Sequence, residues 1–234
     1  MSLFCRQLQH PRHVQSMQTL DVDLCQYLFC TIRGRIFLIL SHSYFSAEDS
    51  RSPLKITREM MCRLMTYHQV MPGYLDFLSV FGLQSEPRDL RYSGFREQTL
   101  LSKPSPSPVM NNLGRSGRQY QLCYNLKSAE CISPRRTLLE KTRWSIRQAA
   151  FHHQFDVETG TTLWIATKGN PLLKDRIRDM TGVRGRPEDR SFGTLAECFQ
   201  SSLAVHLLFG HWSTEGWRTY IQWLEHAVEE EVIG

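Results

Sequence analysis

The alternation of apolar and polar residues is clearest in the second half of the chain. Residues 144–155 and 161–168 are rich in aromatic and β-branched side chains, and the residues between them are typical of a turn. This pattern predicts a long antiparallel hairpin. Two further strands are predicted, one over 35–40 from a short apolar run and one over 119–126, where tyrosine and leucine residues share one face.

Helical spacing of apolar residues predicts helices on either side of these strands. A helix is expected over 57–69, with Thr57 as its N-cap. Pro171 is suited to the first position of a second helix. Thr194 and Glu197 form a capping box that opens a third helix.

The last predicted helix is amphipathic and reaches the end of the chain. Its apolar side comprises Trp217, Ile221, Leu224 and Val228, glutamates occupy the other side, and Ser213 is a candidate N-cap. We expect the apolar side to face a partner, because it would otherwise stay partly uncovered. Together the elements predict an α/β (mixed α+β) fold, with a central, mostly antiparallel sheet, flanking helices and this C-terminal helix.

The domain organisation follows from the changes in pattern. Residues 1–32 show little periodicity and are predicted to form a poorly ordered N-terminal extension, whereas 33–234 are predicted to form a single domain. Residues 84–118 are predicted to be a long connection. Within it, residues 101–118 form a loop rich in proline and serine, since alternating prolines remove backbone donors.

Composition narrows the class of protein. Hydrophobic residues make up 41% of the chain and charged residues 22%, as in folded globular proteins. No apolar run approaches the about 20 residues that a membrane span needs, and we expect none in this chain. The cysteine count is seven, without a Cys-x-x-Cys pair, which indicates reduced thiols and a cytoplasmic location. The net charge is +5, but no nucleic-acid-binding motif accompanies it, so nucleic acid is not an expected partner.

Few residues are candidates for chemistry. Asp156 and Glu158 in the hairpin turn offer oxygen ligands for Mg²⁺ or Ca²⁺, although aspartate is also simply favoured in turns. His152 and His153 point to opposite faces of a strand, so we expect one to be partly buried and the other exposed. No nucleophile motif or phosphate-binding loop is present, and an enzyme is not predicted.

Three blocks of sequence resemble a known family. They are PLKITREMM with HQVMPGYLDF over 53–77, WSIRQAAFHHQFD with TLWI over 144–165, and HWS with Trp217 near the end. In this order they resemble the fungal CorA-like transporter domain, the cytosolic portion that precedes the membrane segment of CorA-type divalent-cation transporters. The resemblance covers about residues 33–230.

The resemblance implies an α/β domain whose final helix leads to a pore, and an oligomer that conducts Mg²⁺ or related ions. The Gly-Met-Asn pore signature is missing here, and no metal-binding residue can be carried over. The predicted function is therefore the cytosolic sensing or assembly part of a magnesium or divalent-metal transporter, without its own pore. Its expected partners are further copies or full-length CorA-like subunits. The alternative is an interaction module, unrelated to transport, that binds an acidic partner or anionic lipid.

Overall fold

A single six-stranded sheet forms the centre of the molecule. The structure, a computed structural model, describes residues 26–32, 35–45, 54, 56–82, 92–102, 115–132, 144–169, 171–181 and 185–233. The strands are β1 (Gln26–Ile32), β2 (Arg35–Phe45), β3 (Phe95–Leu100), β4 (Gln119–Cys131), β5 (Trp144–Asp156) and β6 (Thr162–Lys168). Their order is β1-β2-β6-β5-β4-β3, and β2–β6 is the parallel pair. The other neighbours are antiparallel, which confirms the predicted fold class.

Five α-helices accompany the sheet in the described part of the chain. They are α1 (Arg58–His68), α2 (Tyr74–Leu78), α3 (Pro171–Thr181), α4 (Leu195–Thr214) and α5 (Trp217–Ile233), and a short 3₁₀ turn spans Glu188–Arg190. Helices α1 and α2 pack against one face of the sheet and form one apolar cluster with it. Helices α3 and α4 pack against the opposite face and form a second apolar cluster. The strands β4, β5 and β6 are therefore enclosed between two helical layers, and each layer has its own core.

The central strands contribute alternate residues to the two cores. In β5, Phe151 and Phe155 face α4, whereas Ala150 faces α1 and α2. The ring of Phe151 stacks on Phe209 of α4, with centroids 3.9 Å apart. Because both faces are covered, β6 is buried along its whole length. Each fully buried aromatic or aliphatic side chain of the two cores contributes roughly 1.5–3 kcal/mol to the free energy of unfolding.

Helix boundaries follow the predicted capping residues at two positions. Thr57 Oγ1 accepts a hydrogen bond from the Met60 nitrogen at 3.2 Å, as a helix N-cap does. At α4 the capping box is complete, since Thr194 Oγ1 accepts from Glu197 N and the Glu197 carboxylate accepts from Thr194 N. The prediction of Ser213 as the cap of the last helix is wrong. Ser213 lies in the final turn of α4, where its hydroxyl donates to the Gly210 carbonyl.

Two edge strands were not expected from the sequence. β3 lies within the stretch predicted as a long connection over 84–118, and its residues are almost all exposed, so no apolar pattern marks them. β1 lies within the segment set apart as an N-terminal extension, and it pairs with β2 through a bulged register. Residues 1–25 and most of the proline-rich loop, 103–114, fall outside the described residues.

Candidate functional site

The turn between β5 and β6 is built around the carboxylate of Asp156, which is 1% exposed. Its Oδ1 accepts hydrogen bonds from the backbone nitrogens of Glu158 at 3.0 Å and Thr159 at 2.9 Å. Its Oδ2 accepts from the Ser116 nitrogen at 2.6 Å, and the Ser116 hydroxyl donates to the same carboxylate at 2.9 Å. Charge-assisted hydrogen bonds of this kind replace the hydration that the carboxylate loses on burial. Asp156 therefore links the segment that leads into β4 with the hairpin turn.

Glu158, the second candidate ligand, lies in the same turn but has a different partner. Its carboxylate is about half exposed and forms an ion pair with Arg118 Nη1 at 2.7 Å. Within the ranges that the structure describes, no group of three or more His, Cys, Asp or Glu side chains is arranged to hold a metal ion. Mg²⁺ binding by Asp156 and Glu158 stays a prediction, and it would compete with the hydrogen bonds and the ion pair already present.

The adjacent histidines of β5 are both fully buried, so the expectation that one would be exposed is wrong. His152 faces the α1 and α2 layer and His153 faces the α4 layer, as the strand period of two requires. Both imidazoles are buried because helices cover both faces of this strand. Each imidazole belongs to a separate polar network inside its own core.

The network around His152 joins β4 to the segment that follows α1. Gln121 Oε1 accepts from the Met71 nitrogen at 2.7 Å and lies 3.0 Å from His152 Nε2. Because an amide oxygen only accepts, His152 carries its proton on Nε2. Its Nδ1 is buried and has no partner among the described residues. Gln121 Nε2 donates to the Gln69 carbonyl at 3.1 Å, which completes the link to the end of α1.

Arg115 closes the same network at the C-terminal end of α1. Its Nη1 donates to the His68 carbonyl at 2.7 Å, where a cation is favoured by the helix dipole. Burial, with a smaller contribution from Arg115, lowers the pKa of His68 to about 3. Burial, then Arg115 and His68, lower the pKa of His152 to about 3 as well. Both imidazoles are therefore neutral at physiological pH.

A second network runs through the opposite core. His153 Nε2 lies 2.9 Å from Thr162 Oγ1, and His153 Nδ1 lies 3.0 Å from His206 Nε2 on α4. His206 Nδ1 lies 2.7 Å from the Tyr124 hydroxyl. Thr162 Oγ1 donates to the Gln154 carbonyl at 3.1 Å. That bond fixes the direction of the others, so each histidine carries its proton on Nε2 and Tyr124 donates to His206. Burial lowers the pKa of His206 to about 4.

Sequence reasoning missed both networks. The signal that could have revealed the first is the recurrence of Gln119, Gln121 and Asn125 on the face of β4 opposite its tyrosine and leucine residues. All three are buried, because α1 and α2 cover that side of the sheet. Apart from His152 Nδ1, the donors and acceptors of the two networks satisfy one another, so the networks hold the layers in register more than they offer a substrate site.

The junction between α4 and α5 is fixed on the outer edge of β4. The Ala129 nitrogen donates to the Glu215 carbonyl at 3.3 Å, and Trp217 Nε1 donates to the Lys127 carbonyl at 3.2 Å. The Glu215 carboxylate also forms an ion pair with Arg176 of α3. These bonds occupy the part of the β4 edge that lies beyond β3, as a neighbouring strand would. The starting point of α5 is thereby tied to the sheet.

The four residues predicted to face a partner divide into two groups. Trp217 is only partly exposed, and its indole is used in the junction with β4. Ile221, Leu224 and Val228 are 49%, 38% and 60% exposed and follow one side of α5. Val232, which the sequence did not single out, continues the same side at 79% exposure. We call the stripe formed by Ile221, Leu224, Val228 and Val232 the α5 stripe.

Comparison with known proteins identifies the family. The family model of CorA-like transporters matches residues 10–233. The chain belongs to the CorA-like transporter family. The match begins well before residue 33 and so includes much of the segment that the sequence set apart as an extension. No curated protein and no solved structure matches this CorA-like chain significantly. Among the helices that the structure describes, none of this CorA-like chain combines the length and the apolar character needed to cross a bilayer.

Proposed function

We propose that this CorA-like chain is the cytosolic sensing or assembly part of a magnesium or divalent-metal transporter of the fungal branch, without a pore of its own. The observation that carries the proposal is the α5 stripe. An apolar stripe on an exposed helix marks an interaction surface when it is contiguous, and this one extends over three turns. Membership of a transporter family supports an assembly role rather than catalysis.

The anchoring of α5 supports the same conclusion. The junction bonds from Glu215 and Trp217 to β4 fix where the helix begins, so a change in the domain would be passed to whatever α5 contacts. The partner we propose is another CorA-like subunit, either a further copy of this chain or a full-length member that carries the pore. In this proposal residues 33–234 act as one domain at the cytosolic face of a membrane, and Mg²⁺ is the ion sensed, with Asp156 and Glu158 as its proposed ligands.

Size-exclusion chromatography with light scattering tests the assembly role. The monomer mass is 27.3 kDa. We expect the measured mass to be larger than this and to rise with protein concentration, with or without Mg²⁺. Alternatively, we expect the chain to form a complex when a full-length CorA-like subunit is added. Val228→Arg should abolish the complex with the full-length subunit and lower the self-associated mass, because it places a charge in the α5 stripe. Gln222→Arg is the matched control on an exposed polar position of the same helix. If the chain stayed strictly monomeric and also did not bind the full-length subunit, the proposal would be refuted.

The alternative of an interaction module for acidic partners or anionic lipid gains no structural support. Some of the basic residues that suggested it, such as those in 133–143, lie outside the described residues, and others form ion pairs within the chain, among them Arg118, Arg147 and Arg176. Vesicle flotation at low and high salt distinguishes the two readings, since salt-sensitive binding to anionic vesicles would favour the alternative.

A further inference from the structure

The outer face of α4 carries a second apolar stripe, which the proposed function does not use. Leu195, Phe199, Leu203 and Leu207 recur every four residues and are 45%, 42%, 44% and 64% exposed. The residues of α4 that face the sheet are a different set: Cys198, Ser201, Ser202, Val205, Phe209 and Trp212. We call the four outer residues the α4 stripe. The helix is thus apolar on both sides. The ring of Phe199 also meets the core at Phe155, with centroids 5.6 Å apart, yet all four outer residues stay exposed among the described residues.

Charge distinguishes α4 from an ordinary surface helix. Among the residues of Leu195–Thr214, Glu197 is the only one of the Asp, Glu, Lys and Arg types, and its carboxylate is bound by the nitrogens of Gly193 and Thr194 at the helix start. A solvent-facing helix normally presents charged residues on its outer side, and a helix that is apolar all round is normally covered. The α4 stripe therefore has the character of a covered surface.

We propose that the α4 stripe packs against the α4 stripe of a second copy of this chain across a twofold axis. In such an interface the same patch meets itself, so any charge on it would face a like charge. The α4 stripe avoids this conflict, whereas the α5 stripe is bordered by Glu225 and Glu229. An anionic membrane surface is a poorer occupant, because helices that lie on membranes carry Lys or Arg beside their apolar face.

Helix geometry gives the form and strength of the interface. Residues four apart form a ridge inclined to the helix axis, and two such ridges interdigitate at a crossing angle of about −50°. From Leu195 to Leu207 the stripe is about 18 Å long, at about 1.5 Å per residue. Four side chains cover less than the roughly 800 Å² per partner of a standard stable interface, so the dimer should dissociate reversibly.

Analytical ultracentrifugation over a wide concentration range tests this proposal. We expect the average mass to rise from 27.3 kDa towards twice that value. Leu207→Arg should weaken dimerisation at least about tenfold, and Leu203→Gln should weaken it in the same direction. Both positions are exposed, so thermal unfolding should stay unchanged and show that the variants are folded. Val228→Arg on α5 is the matched control and should leave this dimer intact, which separates the proposal from the α5 assembly role.

Three outcomes would overturn the twofold interface. The first is a mass that stays at the monomer value at the highest concentration. The second is a Leu207→Arg variant that dimerises as well as the unmodified chain. The third is binding of the monomer to neutral phosphatidylcholine vesicles that Leu207→Arg abolishes, because the occupant of the α4 stripe would then be lipid.

Discussion

The α-carbon of Gly216 lies so close to the Ala129 carbonyl that a Cβ on Gly216 would approach that oxygen to 1.9 Å. Gly216 also has a φ of +76°, which residues with side chains rarely adopt. Gly216→Ala should therefore lower the free energy of unfolding by roughly 2–4 kcal/mol, measured by urea denaturation. It should also loosen the start of α5, visible as faster amide exchange there.

Gly210→Ala is the matched control for this prediction. Gly210 lies inside α4, and an added Cβ would meet nothing within 4 Å. An exposed or half-buried helical glycine is less favourable than alanine, so this variant should gain about 0.5–1 kcal/mol. Equal effects of the two substitutions would show that the contact between Gly216 and Ala129 does not constrain the junction.

The hydrogen-bonded chain through His153 and His206 predicts different results for two tyrosines on one face of β4. Tyr124→Phe removes the donor to His206 Nδ1 and should cost about 1–2 kcal/mol of stability. Tyr120 stacks on Phe155, but its hydroxyl bonds none of the described residues, so Tyr120→Phe should change stability by less than about 0.5 kcal/mol. Chemical denaturation of both variants measures the two losses. If Tyr120→Phe lost as much stability as Tyr124→Phe, the hydrogen bond from Tyr124 to His206 would not be what stabilises this face.

Stability should fall as the pH is lowered through the histidine range. The pKa values of His68 and His152 are lowered to about 3, and that of His206 to about 4, so the unfolded chain binds more protons from about pH 6.5 downwards. The loss begins near pH 6.5 and continues towards these lowered values. Each fully buried histidine contributes on the order of 1–2 kcal/mol by about pH 5.

Urea denaturation at about pH 7.5 and pH 5 measures this loss, and His206→Gln should make it smaller. A stability that is constant over this range would mean that the three histidines are hydrated in the folded protein.

The two acidic residues of the hairpin turn should differ in their effect on stability. Asp156→Asn replaces a buried carboxylate that accepts four hydrogen bonds with a neutral amide. It should lower the free energy of unfolding by about 2–3 kcal/mol even without Mg²⁺. Glu158→Gln removes an exposed ion pair and should cost less than about 1 kcal/mol. Thermal unfolding with and without Mg²⁺ is the measurement. Stabilisation of the unmodified chain by Mg²⁺ that both variants lack would instead support the proposed metal site.

Local signals in the sequence were sufficient for much of the fold. The β5–β6 hairpin, the N-cap at Thr57 and the capping box at Thr194 were all predicted, because their periodicity and hydrogen bonds join residues close in the chain. The apolar side of α5 was predicted for the same reason. The strand β3 was missed, since an exposed edge strand carries no apolar alternation and is held by its pairing with β4.

For most of the elements, the amino-acid sequence by itself determined which segments form helices and strands and which residues share a face of each, although the edge strands β1 and β3 were not among them. Only the tertiary structure decided which of those faces are covered. Gln121 and His152 became buried because α1 and α2 close over one side of the sheet, while Leu207 stayed exposed on an apolar helix. The physical reason is that periodicity is a property of neighbouring residues, whereas burial depends on elements brought together from distant parts of the chain.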